Sequence, residues 1–467
     1  MPEQREANLR DHQQPDAVRE IAWLDVFPWL LLVRAFRVSI QVGHLLLAAA
    51  GVLLTVVGWW ALAQVFGGTQ EQPLAGWLPA YQSCPWRDPG ESAEAAWLGI
   101  EPEERVEPPR LVPDRALLPA HPVWQAGPPR LGYYPGNPFL GAWQQLRAPF
   151  RQLFDRDLGV AGLAFLLLCC LWASAVWALF GGAITRRAAM QFGREESIGL
   201  KAAVRYAAGK WRSYFAAPLL PLFGVLIFAC PALALGALMR IDLGLLVAAV
   251  AWPLAILASV IMALLLLALL FGWPLMWPTI STEGTDSFDA LSRSWSYVYH
   301  RPLHYLFYAA VVTVLGGLGW LFVAYFAEWV IYLPLWAASW TAGNERMTEL
   351  ERMSELISLG SSGDLSTLGR WGVQALLFWI GCVRLLALGF VYSYFWTAST
   401  AIYFLLRRDD DGTDLDDVHI EQADQAYGLP PLETDAAGVP TVAASEAAAD
   451  ADATRAMETE GASGEQS

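Results

Sequence analysis

Two ionisable residues of opposite charge, Glu328 and Arg384, lie inside apolar runs that are long enough to cross a membrane. An ionisable group at that depth is by default a candidate for function. Counted from the midpoints of their runs, the two differ in depth by about 5 Å, at 1.5 Å rise per residue, so they can pair. Such a pair would act as a proton or anion relay, or it would be a structural ion pair between two helices. The structural role is favoured because a single ion pair is rarely enough to form a pathway for protons or anions across a membrane. The remaining alternative is that Glu328 only reaches the outer interface.

Two further patterns resemble metal sites in part. His300 and His304 have the i,i+4 spacing of metal ligands, but Pro302 lies between them and no carboxylate or thiolate completes a site. The acidic run Asp409–Asp417 has its glycine, Gly412, at the fourth position where a calcium loop has it at the sixth, and no glutamate closes the loop. We therefore expect interfacial polar residues in the first case and a solvated acidic stretch in the second. No cofactor is predicted.

No catalytic motif stands out in the chain. The GxSxG elbow, HExxH, the P-loop and the dinucleotide fingerprint are all missing from the sequence. Of five cysteines, Cys84 lies in a polar loop and the others lie in apolar runs, so neither a disulfide framework nor a thiolate metal site is expected. These features predict a protein that is not an enzyme.

The composition is that of a membrane protein with an acidic tail. The 467 residues are 55% hydrophobic, and several uncharged runs exceed the roughly 18 residues that mark a membrane span. The net charge of -15 comes from residues 409–467, which hold 16 acidic residues and one basic residue, Arg455. The rest of the chain is electrically balanced, so nucleic-acid binding is not predicted.

These patterns predict an all-α integral membrane protein with about six transmembrane helices, cytoplasmic amphipathic helices and an external loop rich in proline and tryptophan. The predicted segments are a cytoplasmic N-terminal segment with an amphipathic helix (1–42), the first span (43–66), the external loop (67–157), the second span (158–182), a basic cytoplasmic helix (183–214), the third span (215–239), the fourth span (245–273), a cytoplasmic amphipathic helix (278–302), the fifth span (303–340), an external helix and loop (341–370), the sixth span (371–408) and a disordered acidic cytoplasmic tail (409–467).

The charge distribution predicts which side each loop faces. Residues 183–214 hold seven arginines and lysines against two glutamates, which places this segment in the cytoplasm. The loop 67–157, with 15 prolines, then lies outside, and both termini lie inside a bacterial inner membrane. We expect short helices in that loop, among them an amphipathic one over Phe139–Phe154, with aromatic side chains held against the membrane or a partner. A disordered linker is the alternative.

Three segments read as helices that lie on the membrane surface and precede a span. Each has an apolar stripe; basic residues lie beside the stripe in the first two segments, and Arg293 lies opposite it in the third. The stripes are Trp29, Val33, Phe36 and Ile40; Leu200, Val204, Ala207, Trp211 and Phe215; and Phe288, Leu291, Trp295 and Val298, the last after the N-cap Asp286. The side chains predicted to contact anionic lipids are Arg34, Arg37, Lys201, Arg205 and Arg212. The alternative is an ordinary soluble helix packed against a cytoplasmic domain.

Three stretches carry a resemblance to a known group of proteins. They are "EIAWLDVFPWLLLVRAFRVSIQVG" (Glu20–Gly43), the loop rich in proline and tryptophan, and "TASTAIYFLLRRDDDGTDLDDV" (Thr397–Val418). In these the chain resembles uncharacterised multi-pass membrane proteins of planctomycete bacteria. Its layout is also similar to the six-span membrane modules fused to some bacterial glycerophosphodiester phosphodiesterases, but it lacks their catalytic domain. The resemblance implies a fold and a compartment and no catalytic residue.

The sequence favours a non-enzymatic scaffold or accessory protein in membrane and envelope organisation, with protein partners bound through the external loop or the tail. The alternative is a permease or channel component that uses the bundle interior near Glu328 and Arg384. A membrane enzyme ranks third. A polar cavity that holds both residues and is open to water would favour transport, whereas a dry interior would favour a scaffold.

Overall fold

The computed structural model describes residues 27–71, 159–358, 366–420, 432–434 and 440–442, together with a few positions between them, namely 74–75, 78, 81, 139–140 and 142–143. Six of the described helices are long and apolar enough to cross a membrane, which confirms the predicted all-α integral membrane fold. The chain is a polytopic membrane protein.

The described part contains ten helices. The six candidate spans are α2, α3, α5, α6, α8 and α10. The helices are α1 (Leu30–Ser39), α2 (Val42–Val65), α3 (Val160–Gly193), α4 (Leu200–Gly209), α5 (Trp211–Leu238), α6 (Asp242–Glu283), α7 (Ser287–His300), α8 (Pro302–Ala342), α9 (Asn344–Ser358) and α10 (Thr367–Asp411).

Residues 419–467 form a unit separate from residues 1–418. Its described residues are two short strands, β1 (Leu432–Thr434) and β2 (Pro440–Val442), which pair antiparallel with Leu432 opposite Val442. This hairpin lies in the tail that was predicted to be disordered, so that prediction is wrong for these residues. The remaining residues beyond 420 lie outside the described part.

Two spans extend further than the sequence predicted, into the charged residues that follow their apolar runs. α3 runs to Gly193 instead of residue 182, and α6 runs to Glu283 instead of residue 273. The predicted basic helix 183–214 is therefore wrong: its first part belongs to α3, and its second part is the short helix α4, after which α5 begins at Trp211. The extra turns are buried against other helices, and their charged groups find partners there, so the helix has no need to stop.

Those extra turns form the most deeply buried part of the molecule. We call it the basal core, and it comprises residues 181–193 of α3, 272–283 of α6 and 387–407 of α10. Nearly every residue in these three stretches is buried. The starts of α2 and α8 meet it as well, since Gln41 hydrogen-bonds Gln191 and Tyr308 hydrogen-bonds Asp409.

Aromatic rings fill the centre of the basal core. Trp277 stacks on Trp396 with 4.1 Å between ring centroids, and Trp273 lies 5.4 Å from Phe395. Phe139, from the predicted external loop, lies 5.3 Å from Phe395 and is 8% exposed. Phe139 was expected to begin an amphipathic helix leading into the second span; residues 139–140 and 142–143 are helical, and Phe139 packs inside the bundle. The rest of that predicted helix lies largely outside the described residues.

The three surface helices each have two faces. Most residues of the predicted apolar stripes stay wholly or partly exposed, as at Val33 (45%), Leu200 (38%) and Phe288 (69%), whereas Ala207 and Val298 are buried. A second face, turned roughly 100° round the axis, packs on the bundle. The buried residues of these faces are Leu31, Leu32, Ala35, Val38 and Ser39 in α1; Ala203, Tyr206 and Ala207 in α4; and Ala290, Ser294, Tyr297 and Val298 in α7. Because α4 ends at Gly209, Trp211 and Phe215 belong to α5.

The hairpin α5–α6 projects from this core. Its helices are joined by a short turn at Arg240 and Ile241. In the most apolar stretch of α5 only 17% of the residues are buried, and in that of α6 only 11%. Helix α9 lies within the segment predicted to be an external helix and loop (341–370), and its Met353 packs against Val373 of α10.

Candidate functional site: the polar network of the basal core

A buried carboxylate, Glu283, joins three elements at the end of α6. Its side chain is 8% exposed, and Arg293 Nη1 of α7 lies 2.8 Å from its Oε2. Its Oε1 lies 3.5 Å from Arg407 Nε and accepts a hydrogen bond from the Tyr403 hydroxyl, both in α10. Gly284 ends α6 in the left-handed conformation (φ 67°), which glycine adopts without strain, so the chain turns at once toward α7. One carboxylate thus ties α6, α7 and α10 together.

Arg407 has a second acidic partner beyond the end of α10. Its Nη2 lies 2.6 Å from Asp417 Oδ2, and its Nη1 donates to the Asp417 carbonyl oxygen at 2.8 Å. The reversal uses Gly412, which caps α10 with φ 65°, and it buries Val418 to 5% exposure. The acidic run therefore folds back onto the bundle through Arg407. Asp411, Asp414, Asp416 and Asp417 are exposed, as predicted for a solvated stretch, although Asp417 is also paired.

The first three acidic side chains of the run, Asp409 to Asp411, bind α7 and α8. Tyr308 donates to Asp409 Oδ2 at 2.8 Å, and His300 Nδ1 lies 3.0 Å from Asp410 Oδ2. His300 is thus an ion-pair partner at the end of a helix, as expected of an interfacial polar residue. No group of three potential metal ligands occurs among the residues that the structure describes.

Asp411 accepts a hydrogen bond from the Tyr297 hydroxyl at 2.5 Å. Burial, and next the bond to the Asp411 carboxylate, raise the pKa of Tyr297 above its usual value. The phenol therefore stays protonated and remains a hydrogen-bond donor over the physiological range. Tyr297 fastens α7 to the last turn of α10.

Deeper in the basal core, hydroxyl groups and one guanidinium satisfy each other. The Ser281 hydroxyl lies 2.6 Å from that of Thr185 and 2.7 Å from that of Tyr214. Arg186 donates to the Ser281 carbonyl oxygen at 2.6 Å, and its guanidinium lies 4.1 Å from the centre of the Tyr206 ring. These bonds link α3, α4, α5 and α6, and their donors and acceptors all come from the protein.

The ionisable pair predicted within the spans does come together. Arg384 Nε of α10 lies 3.4 Å from Glu328 Oε1 of α8, and the two side chains are 11% and 31% exposed. Just beyond them Ile331 and Ile380 pack into an apolar cluster of their own. The pair is a contact between two helices, on the outer side of the basal core.

Four of the five cations predicted to contact lipid have exposed side chains. Arg37, Lys201, Arg205 and Arg212 are exposed. Arg34 is different, because its Nη2 lies 3.3 Å from Glu195 and donates to the Gln191 carbonyl oxygen at 3.4 Å. Arg34 therefore also holds α1 on α3.

Sequence reasoning missed the residues that organise this network. Glu283, Arg186 and Arg407 were assigned to loops or span ends, because a charge next to an apolar run is usually a stop signal. A usable signal was present in the hydroxyl residues that accompany them, such as Ser281 and Thr185, which leave hydrogen-bonding capacity inside a helix bundle. As a chemical arrangement, the network neutralises its charges internally and fixes helix ends.

Comparisons of the chain with models of protein families, with curated proteins and with solved structures found no match. The role of the site is therefore inferred from its geometry.

Proposed function

We propose that the protein is a non-enzymatic scaffold or accessory in membrane organisation, located in a bacterial inner membrane. In this proposal both termini and the basal core face the cytoplasm. Six spans return the chain to its starting side, and basic residues of four helices gather at the basal core, among them Arg194, Lys201, Arg301 and Arg408. A concentration of arginine and lysine on one side is typical of the cytoplasmic face.

The closed basal core is the observation that carries the proposal. A transport pathway needs polar groups that face a continuous aqueous space. Here Trp277, Trp396 and Phe139 fill the centre, and the hydroxyl groups of Thr185, Tyr214 and Ser281 are bonded to one another. A closely packed core of this kind is suited to holding helices and their exposed surfaces in place.

The exposed surfaces are what such a scaffold would offer. The hairpin α5–α6 presents apolar side chains along most of its length, and the surface helices present apolar stripes next to exposed cations. Lipid tails and anionic headgroups fit these surfaces by their chemistry. Protein partners would bind through the external loop or the tail.

A permease or channel component is the second candidate, and the Glu328–Arg384 pair favours it. The Glu328 side chain keeps 31% of its surface exposed, so it is not sealed in the bundle as Glu283 is. In a transporter this pair would separate and exchange partners with the solute.

Cysteine accessibility in native membranes distinguishes the two candidates. In a background without the native cysteines, Ser393→Cys and Thr397→Cys place thiols at fully buried positions in the basal core. A membrane-impermeant maleimide applied from either side leaves both unreacted in a scaffold. Labelling of either thiol from water would show an aqueous pathway and would reject the scaffold in favour of the permease.

The same background tests the sidedness. Arg240→Cys, in the exposed turn between α5 and α6, should react only from the outside, and Asp416→Cys, exposed beyond α10, only from the inside. Reaction of both from one side would contradict the six-span arrangement. Co-purification in mild detergent would then identify the proteins that the scaffold holds.

A further inference from the structure

Arg187 is a buried cation for which the protein supplies no counterion. The residue is 7% exposed, and within the described part of the chain no carboxylate lies within 4 Å of its guanidinium. Its Nη1 donates to the Ile198 carbonyl oxygen, and its Nε has no acceptor. An uncompensated buried charge is costly, so this environment favours an anion from outside the chain.

Two helix N-termini converge on the same guanidinium. A methyl group at Gly43, the second residue of α2, would lie 2.9 Å from Arg187 Nη2 and 3.3 Å from Leu200 Cδ2, at the start of α4. Neither helix has a side-chain cap or an acidic residue in its first turn. Their first N–H groups therefore lack intrahelical acceptors and carry a partial positive charge. That combination binds phosphate in many proteins.

The caps are missing for identifiable reasons. Gln41 precedes α2, but its side-chain amide exchanges hydrogen bonds of 3.1 and 2.7 Å with Gln191 of α3. Gly199 precedes α4 and has no side chain, and a Cβ there would meet nothing within 4 Å. The N-termini thus stay open, and one of them faces open space.

His44 gives independent support. The residue is fully buried in the first turn of α2, and neither of its ring nitrogens has a hydrogen-bond partner. Its ring lies within electrostatic range of the Arg187 guanidinium. A buried imidazole with both nitrogens unpaired is unusual, and an anion between it and Arg187 would supply an acceptor. Val42, two residues earlier, is 71% exposed, which leaves a way in from the surface.

We propose that Arg187, His44 and the N-terminal N–H groups of α2 and α4 form a binding site for a phosphate group. The exposed apolar side chains of Val42 and Leu200 beside it favour the headgroup of an anionic phospholipid as the source, because acyl chains can lie along them. Exposed Lys201, the second residue of α4, adds a positive charge at the same helix N-terminus. The site does not depend on whether the protein is a scaffold or a permease.

Lipid retention by the purified full-length protein tests the site. The protein in neutral detergent is titrated with phosphatidylglycerol, with phosphatidylcholine and, in a separate arm, with inorganic phosphate, and bound molecules are counted by native mass spectrometry. We expect saturable retention of phosphatidylglycerol over phosphatidylcholine. Arg187→Gln should weaken it by about tenfold or more, the usual effect of losing charge-assisted hydrogen bonds.

Two further variants control the experiment. Arg240→Gln removes an equal charge from the turn between α5 and α6 and should leave retention unchanged. Gly43→Ala keeps every charge but pushes the guanidinium aside, so it should weaken retention even if Arg187→Gln fails to fold. If inorganic phosphate alone binds, and Arg187→Gln and Gly43→Ala abolish that binding, the site is supported with a free anion as its ligand. If neither phosphatidylglycerol nor phosphate binds, or if neither Arg187→Gln nor Gly43→Ala changes the binding, the proposal is overturned.

Discussion

Helix α6 passes through two environments, and the distribution of its polar and apolar side chains between them is the reverse of that in a water-soluble protein. Its N-terminal part, in the hairpin with α5, is apolar and exposed, as at Trp252 (44%) and Leu254 (67%). Its last turns lie in the basal core, where Thr279, Ser281 and Thr282 are fully buried. The polar residues are inside and the apolar residues are outside.

The difference follows from the solvent. Lipid tails solvate an apolar helix surface as well as a protein interior does, so apolar side chains gain little by packing together. Polar side chains have no such outlet and collect where they can bond with one another. The basal core is therefore expected to resist change, and the hairpin is expected to tolerate it. Four experiments test this contrast, starting with the largest expected effect.

Replacing a tryptophan in each region of α6 compares the two directly. Trp277→Ala removes a ring that is 4% exposed, stacked on Trp396 and bonded to the Tyr214 carbonyl oxygen at 2.9 Å. We expect it to lower the free energy of unfolding by about 3 to 5 kcal/mol. Trp252→Ala should change it by about 0.5 kcal/mol. Thermal unfolding followed by circular dichroism measures both, and equal effects would abolish the contrast.

Neutralising the central carboxylate tests the charges of the basal core. Glu283→Gln leaves Arg407, which is 9% exposed, and Arg293 without their shared anion. We expect a loss of about 3 kcal/mol in the free energy of unfolding. Glu345→Gln, on the exposed face of α9, is the matched control and should stay within about 0.5 kcal/mol of the parent. A Glu283→Gln protein as stable as this control would show that the network does not hold the helix ends.

Removing the Tyr297 hydroxyl of α7 should lower the free energy of unfolding by a smaller amount, and this loss should depend on pH. Tyr297→Phe removes the bond to Asp411 and should cost about 1.5 kcal/mol at neutral pH. Because burial and that bond raise the pKa of Tyr297, the folded state keeps the phenol proton more tightly than the unfolded chain. Its contribution is complete below about pH 10 and falls as the pH rises above that value.

The variant should therefore lose less stability than the parent between neutral pH and about pH 11. Tyr299→Phe, two residues away and 69% exposed, serves as the control and should follow the parent curve. Parallel curves for Tyr297→Phe and the parent would mean that this hydroxyl does not couple to folding.

The smallest effect on stability is expected for the exposed cations. Replacing Lys201, Arg205 and Arg212 together with Gln should change the free energy of unfolding by about 0.5 kcal/mol, because all three are exposed. It should instead weaken docking of α4 on anionic bilayers. Hydrogen exchange in anionic and zwitterionic nanodiscs measures the docking, and unchanged protection by lipid would reject the surface assignment.

The sequence by itself determined the class of the protein and the identity of its spans. Apolar runs of more than roughly 18 residues can satisfy their backbone in lipid only as helices, so hydropathy is enough to find them. Capping chemistry is equally local, and the predicted N-cap Asp286 does accept hydrogen bonds from Phe288 and Asp289. The pairing of Glu328 with Arg384 could be anticipated as well, because depth along a span depends only on counting residues.

Only the tertiary structure decided where those helices end and which of their faces is buried. A charge such as Arg186 ends a span in isolation, but a partner on α6, distant in sequence, lets α3 continue past it to Gly193. In the same way α6 extends as far as Glu283, whose partner Arg407 lies on α10. Lipid accepts an apolar stripe as readily as protein does, so the stripes of α1, α4 and α7 could not show which face packs on the bundle. The fold of the acidic run had the same dependence, since Asp417 is ordered by a cation, Arg407, that only the assembled bundle brings to it.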